Sequence, residues 1–161
     1  MQHEEIRSLE DLVQFVIKAE NMAIYTYEKI IEKVKDTKVR QRLISFQTEH
    51  KQWIDSWKHI WSFEAADTDL SLMSQTAVTG MLVFDQLRNH QDADYVVRVR
   101  DEEEKQIKEL KTLAQTVSFA TLQAGASAEE ALERMIAQSA RRVRELNRHV
   151  DQLRDQEEKN V

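Results

Sequence analysis

The chain has no cysteine and no proline, and its 161 residues include only two glycines, Gly80 and Gly125. The lack of cysteine excludes disulfides and thiolate metal sites. The lack of proline and the scarcity of glycine leave little provision for turns, so an all-α chain is expected. No run is long and apolar enough to cross a membrane. The opening segment MQHEEIRSLED lacks the pattern of a signal peptide, which makes a cytoplasmic protein the expectation. A Gly-rich phosphate loop and a nucleophile elbow are also missing, so no small-molecule substrate is identified. The net charge of −6 argues against broad nucleic-acid binding, although Arg141, Arg142, Arg144 and Arg148 form a local basic patch.

What the chain does have is helical periodicity over a length that suits one domain, 1–161. Five helices are expected. Helix A follows Ser8, a suitable N-cap, and runs to about Lys35. The pair Asp36-Thr37 breaks it and caps helix B, which continues to about Glu64. A polar loop over 66–69 leads to a shorter, more apolar helix C over about 70–89. Helix D, capped by Asp92, reaches about Ala124, where Gly125 is suited to end it. Ser127 and Glu130 have capping-box spacing and open helix E, which extends to about Arg154 before a tail expected to fray. The short A–B and D–E connections demand antiparallel hairpins, and two such hairpins make a four-helix bundle with helix C as the crossover.

Each of three long helices carries a polar residue at the centre of its apolar stripe. In helix A the stripe reads Leu9, Val13, Val16, Glu20, Ile24, Tyr27, Ile31, Val34. At about 100° per residue, Glu20 therefore faces the helix's packing partner. His50 holds the equivalent place between Phe46 and Trp57, and Glu103 lies between Val99 and Ile107. His149 is on the edge of the helix E stripe. Counting outward from the two hairpin turns puts Glu20 level with His50, and Glu103 level with His149. A buried carboxylate costs several kcal/mol unless it is paired or metal-bound. Two readings follow. Glu20, His50, Glu103 and His149 converge as ligands of one Fe, Mn or Zn ion. Alternatively, Glu20 and His50 form a charge-assisted pair while Arg100, Arg142 or Gln106 holds Glu103.

The segment AENMAIYTYEKIIEKVKDTKVRQRLISFQTEHKQW resembles the first hairpin of the ferritin-like superfamily, and of rubrerythrin-like bundles in particular. That hairpin has a metal-binding Glu, a Tyr seven residues on, an Asp near the turn, and then Glu-x-x-His. Glu20, Tyr27 and Asp36 match the first three positions. His50 and Trp53 fall on the Glu-x-x-His positions, and tryptophan cannot ligate a metal. In the second hairpin, Glu103 stands for the lone Glu, and Leu146 and His149 for the second Glu-x-x-His. The resemblance implies a ferritin-like bundle with a reduced site, binding one metal ion at most. The alternative is a metal-free, dimeric bundle acting as a stress-related or protein-interaction scaffold, with Trp53 and Leu146 filling ligand positions.

Overall fold

The computed structural model describes residues 6, 8–61, 90–122 and 124–160. The described residues form four long α-helices and one short 3-10 turn, with no strand. Helix α1 spans Leu9–Lys33 and α2 spans Thr37–Trp61. Helix α3 spans Asp92–Thr116, the turn covers Phe119–Thr121, and α4 spans Gly125–Lys159. The expected helix C, with Gly80, lies outside the described residues.

The hairpin between α1 and α2 forms as its sequence predicts. Ser8 caps α1 by accepting the Asp11 N–H, while Glu10 and Asp11 place negative charge at its N-terminus. Val34 is extended and ends the helix. Asp36 then caps α2, its carboxylate accepting the Val39 N–H at 3.0 Å. Arg40 folds back to bond the Val34 carbonyl, which satisfies the chain at the break.

The second hairpin departs from expectation in four places. First, α3 stops at Thr116, not near Ala124. The stretch Thr116–Val117–Ser118 has weak helix propensity. The Thr112 and Thr116 hydroxyls also bond carbonyls one turn back, an interaction that weakens helices locally. Second, Gly125 begins α4 and does not terminate α3. A Cβ at Gly125 would sit 1.8 Å from the Phe119 carbonyl oxygen, so the close approach of two backbones requires glycine here. The left-handed conformation falls on Ala124 (φ 56°), and α4 opens ahead of the Ser127–Glu130 pair. Third, Gln91 rather than Asp92 caps α3, in a reciprocal capping box with Asp94. Asp92 instead reaches the other hairpin and accepts the N–H groups of Lys35 and Asp36 at 2.9 and 2.8 Å. Fourth, the tail that was expected to fray continues α4 to Lys159.

In the bundle, α1 packs on α2 and α3, and α4 packs on α3 and α2. All four contacts are antiparallel. Asp92 at the start of α3 meets the end of α1, and Arg42 and Trp53 of α2 meet Glu145 and Gln138 of α4 in reversed order. The diagonal helices therefore run in the same direction, α1 with α4 and α2 with α3. The apolar core is in two pieces. One contains Leu12, Ile17, Trp57, Leu110 and Leu132, and the other contains Tyr27, Leu43, Phe46, Val99 and Leu146. The inward polar residues lie in the seam between them.

Candidate functional site: a buried ion network at mid-bundle

Glu20, His50 and Glu103, singled out from the apolar stripes, meet in the interior. The two glutamates are 1% exposed and the histidine is fully buried. His50 lies between the carboxylates, with Nδ1 2.5 Å from Glu20 Oε2 and Nε2 2.6 Å from Glu103 Oε1. Both ring nitrogens face acceptors, which is the arrangement an imidazolium needs. Burial opposes the charged ring, but the two carboxylates outweigh it and raise the His50 pKa to about 9.

Glu103 is the hub. Its Oε1 accepts from His50, from the Tyr27 hydroxyl at 2.6 Å and from Arg142 Nε at 2.8 Å. Burial works against its ionised form, yet His50, Arg142 and Tyr27 together hold its pKa at about 2. The Tyr27 phenol is pushed well above its usual range, by burial first and by Glu103 second, so it remains a proton donor. Gln106 donates Nε2–H to Glu20 Oε1 at 2.5 Å. Arg142 Nη2 donates to Ser139 Oγ at 2.8 Å, and Arg142 Nη1 lies 3.6 Å from Glu49 Oε1.

The formal charges of the buried core cancel. Glu20 and Glu103 carry two negative charges, and His50 and Arg142 carry two positive ones. A buried carboxylate pair needs this compensation, and here the protein's own cations supply it. Arg142 is the candidate holder of Glu103 that the structure selects. Arg100 instead bonds Asn147 and Asp101, and Gln106 bonds Glu20.

His149 does not join this group. It is on the bundle edge, beside Glu145 of its own helix at 3.4 Å, and Glu145 is also gripped by Arg42. The expected level was two turns out: Ser139 and Arg142, not Leu146 and His149, stand opposite Glu103. The cause is the long connection through Phe119–Thr121, which displaces α4 relative to a hairpin folded tightly at Gly125.

The donor set does not fit a metal ion. Ligation by His50 needs a free ring nitrogen, and both are committed to carboxylates. A divalent cation beside Glu103 would also meet the Arg142 guanidinium. Among the described residues, no group of three or more His, Asp or Glu side chains is arranged to hold an ion. Two buried oxygens of the cluster, Glu103 Oε2 and Gln106 Oε1, accept no hydrogen bond.

The tryptophans are packing residues, as their spacing suggests. Trp57 and Trp61 are buried. The Trp57 indole N–H points at Met135 Sδ at 3.0 Å, and that of Trp53 donates to Gln138 at 2.5 Å. No protein-family profile, curated protein or solved structure matches the chain.

Proposed function

We propose that this is a ferritin-like bundle in which the metal centre has been replaced by an internal ion network, leaving a metal-independent scaffold that acts through its surface. The direction of its helices supports the ferritin-like reading. Antiparallel neighbours with parallel second and third helices give an up-down-down-up order, which that family builds with one long crossover. The positions of the inward residues support it as well. Ferritin-like di-metal sites take a Glu from each of two helices and a Glu-x-x-His from each of the other two. Glu20 and Glu103 correspond to the lone glutamates, His50-x-x-Trp53 to one pair and Ser139-x-x-Arg142 to the other.

One observation carries the metal-independent reading. The cationic side chains of His50 and Arg142 occupy the hydrogen-bonding positions around Glu103 where metal ions would bind. The protein thus carries its counter-charges covalently. The core is closed to substrate, because every group in it except Glu49 is buried. Interaction through the outer faces is the remaining role.

The test is elemental analysis of protein purified without a metal-affinity tag, combined with 15N spectra of the His50 ring at neutral pH. The expected outcome is no stoichiometric Fe, Mn or Zn, and an imidazole protonated on both nitrogens. Near-stoichiometric metal that disappears in Glu20→Ala would overturn the proposal in favour of the one-metal site.

A further inference from the structure

The basic patch seen in the sequence borders a groove. Arg141, Arg142, Arg144 and Arg148 of α4 line a groove of about 530 Å³ against α2, joined from the other side by Arg42. The charge of Arg142 is taken up by the core carboxylates, and the other four arginines face two glutamates, Glu49 and Glu145, so the groove has an excess of two positive charges. The chain as a whole has a net charge of −6. Charge of this sign is therefore concentrated against the trend of the molecule.

The arginines differ in how they are satisfied. Arg42 is committed, gripping both oxygens of Glu145 at 2.5 and 2.9 Å and lying over the Phe46 ring at 4.6 Å. Arg141, Arg144 and Arg148 are exposed and have no ion-pair partner among the described residues. Like charges three and four residues apart on a helix repel one another, and Arg42 already takes up both oxygens of Glu145, so a further anion would relieve the cluster. Arg142 is 2% exposed and forms the floor. Its Nε and Nη2 are bonded inside the bundle, while Nη1 has no hydrogen-bond acceptor and only the 3.6 Å approach of Glu49. A buried guanidinium N–H without an acceptor is costly, and here it belongs to a residue that lines a basic cavity.

We propose that the groove between α2 and α4 binds a small phosphate-bearing ligand, held by Arg141, Arg144 and Arg148 at the rim. Guanidinium groups match phosphate oxygens in geometry, and a phosphate ester carries close to the charge the groove lacks. The volume lies within the usual range for small-molecule sites, and the buried Phe46 ring gives it one apolar wall. A second groove of comparable size, between Trp53, Ile60 and Arg134, lacks these features. Its one arginine is tied to Glu130 at 2.6 Å. The inference goes beyond the scaffold reading and does not depend on it, because the rim arginines Arg141, Arg144 and Arg148 take no part in the core network.

The experiment is calorimetric titration of the full chain, treated with EDTA, with pyrophosphate and with ribose 5-phosphate at low salt. Saturable binding at or below roughly 1 mM is expected for at least one of them. The tighter probe shows whether the ligand is inorganic or an ester. Arg141→Gln combined with Arg148→Gln, both exposed positions, should weaken binding by about tenfold or more. Arg134→Gln, in the other groove, should leave it unchanged. The proposal is overturned if neither probe saturates, if the double variant binds as the parent does, or if Arg134→Gln loses as much. Single-stranded RNA binding more tightly than both small probes would also overturn it.

Discussion

His50 and Arg142 bond the same oxygen of Glu103, from opposite hairpins. Glu103 therefore holds the two hairpins together electrostatically as well as sterically. Its loss would leave two buried cations with only Glu20 and the partly exposed Glu49 as counter-charges. Breaking one member of a buried ion network costs about 3–5 kcal/mol. Glu103→Gln, nearly equal in volume, should cost that much in urea unfolding monitored by circular dichroism. A loss below about 1 kcal/mol would show that the charge on Glu103 is dispensable.

The network also sets a pH dependence, with a definite sign at each end. The folded-state His50 pKa of about 9 lies above its ordinary 6.5. Its stabilisation is then complete below pH 6.5 and is lost as pH rises through 9. That span is worth on the order of 3 kcal/mol. Glu103 acts in the other direction, with its pKa lowered from 4.5 to about 2. Its contribution is present above pH 4.5 and is lost as pH falls through 2. The denaturation midpoint should therefore be highest between about pH 4.5 and 6.5 and decline on the alkaline side. In His50→Gln the alkaline decline should flatten, and a decline of unchanged slope would assign it to other groups.

Asp92 fastens the start of α3 to the turn between α1 and α2, accepting two backbone N–H groups. Charge-assisted bonds of this kind are stronger than neutral ones. Asp92→Ala leaves the Lys35 and Asp36 amides without their acceptor, and a cost of about 1–3 kcal/mol is expected. Hydrogen exchange should locate the effect, with these two amides exchanging faster while Ser139 and its neighbours in α4 are unchanged. Uniform acceleration across the bundle would argue against a local clasp.

At Gly125 a methyl group has nowhere to go. The atoms it would meet are the Phe119 carbonyl oxygen and carbon, at 1.8 and 2.8 Å, and backbone cannot swing aside as a side chain can. Gly125→Ala should cost about 1–3 kcal/mol or more, although alanine is the better helix former. Scanning calorimetry would show a lowered midpoint. A raised one would mean that helix propensity outweighs the contact.

Much of this architecture is legible in the chain, and the losses have physical causes. The stripes located Glu20, His50 and Glu103 because helical period fixes which face a residue occupies, and the core closes on that face. The turn at Asp36 was readable because its chemistry is local. The level of α4 was not, because it depends on where α3 ends, and Thr116–Val117 gave only a weak propensity signal that Gly125 masked. That error put His149 opposite Glu103, where Arg142 belongs. The inward aim of Arg142 is harder still to read. A long side chain beside a stripe can extend to solvent or fold into the core, and sequence spacing is the same for both. A charge count is the one available signal: two inward carboxylates and one imidazole leave a cation missing.

The same count bears on why the network persists at all. Replacing a buried ion network by apolar residues of similar size is often neutral or stabilising, by about 1–4 kcal/mol. The combined variant Glu20→Leu, His50→Leu, Glu103→Leu and Arg142→Leu would merge the two apolar clusters that now flank the network. It should unfold at the same or higher urea concentration than the parent. What it should lose is uniqueness, since leucine packs with leucine at several helix levels, while a carboxylate hub with donors from α1, α2 and α4 accepts only one. Broadened or doubled amide signals from α3 and α4 in the NMR spectrum, at undiminished stability, are the expected result. A single sharp set of signals would mean that the apolar clusters alone fix the register, and that the ion network is a remnant without a structural task.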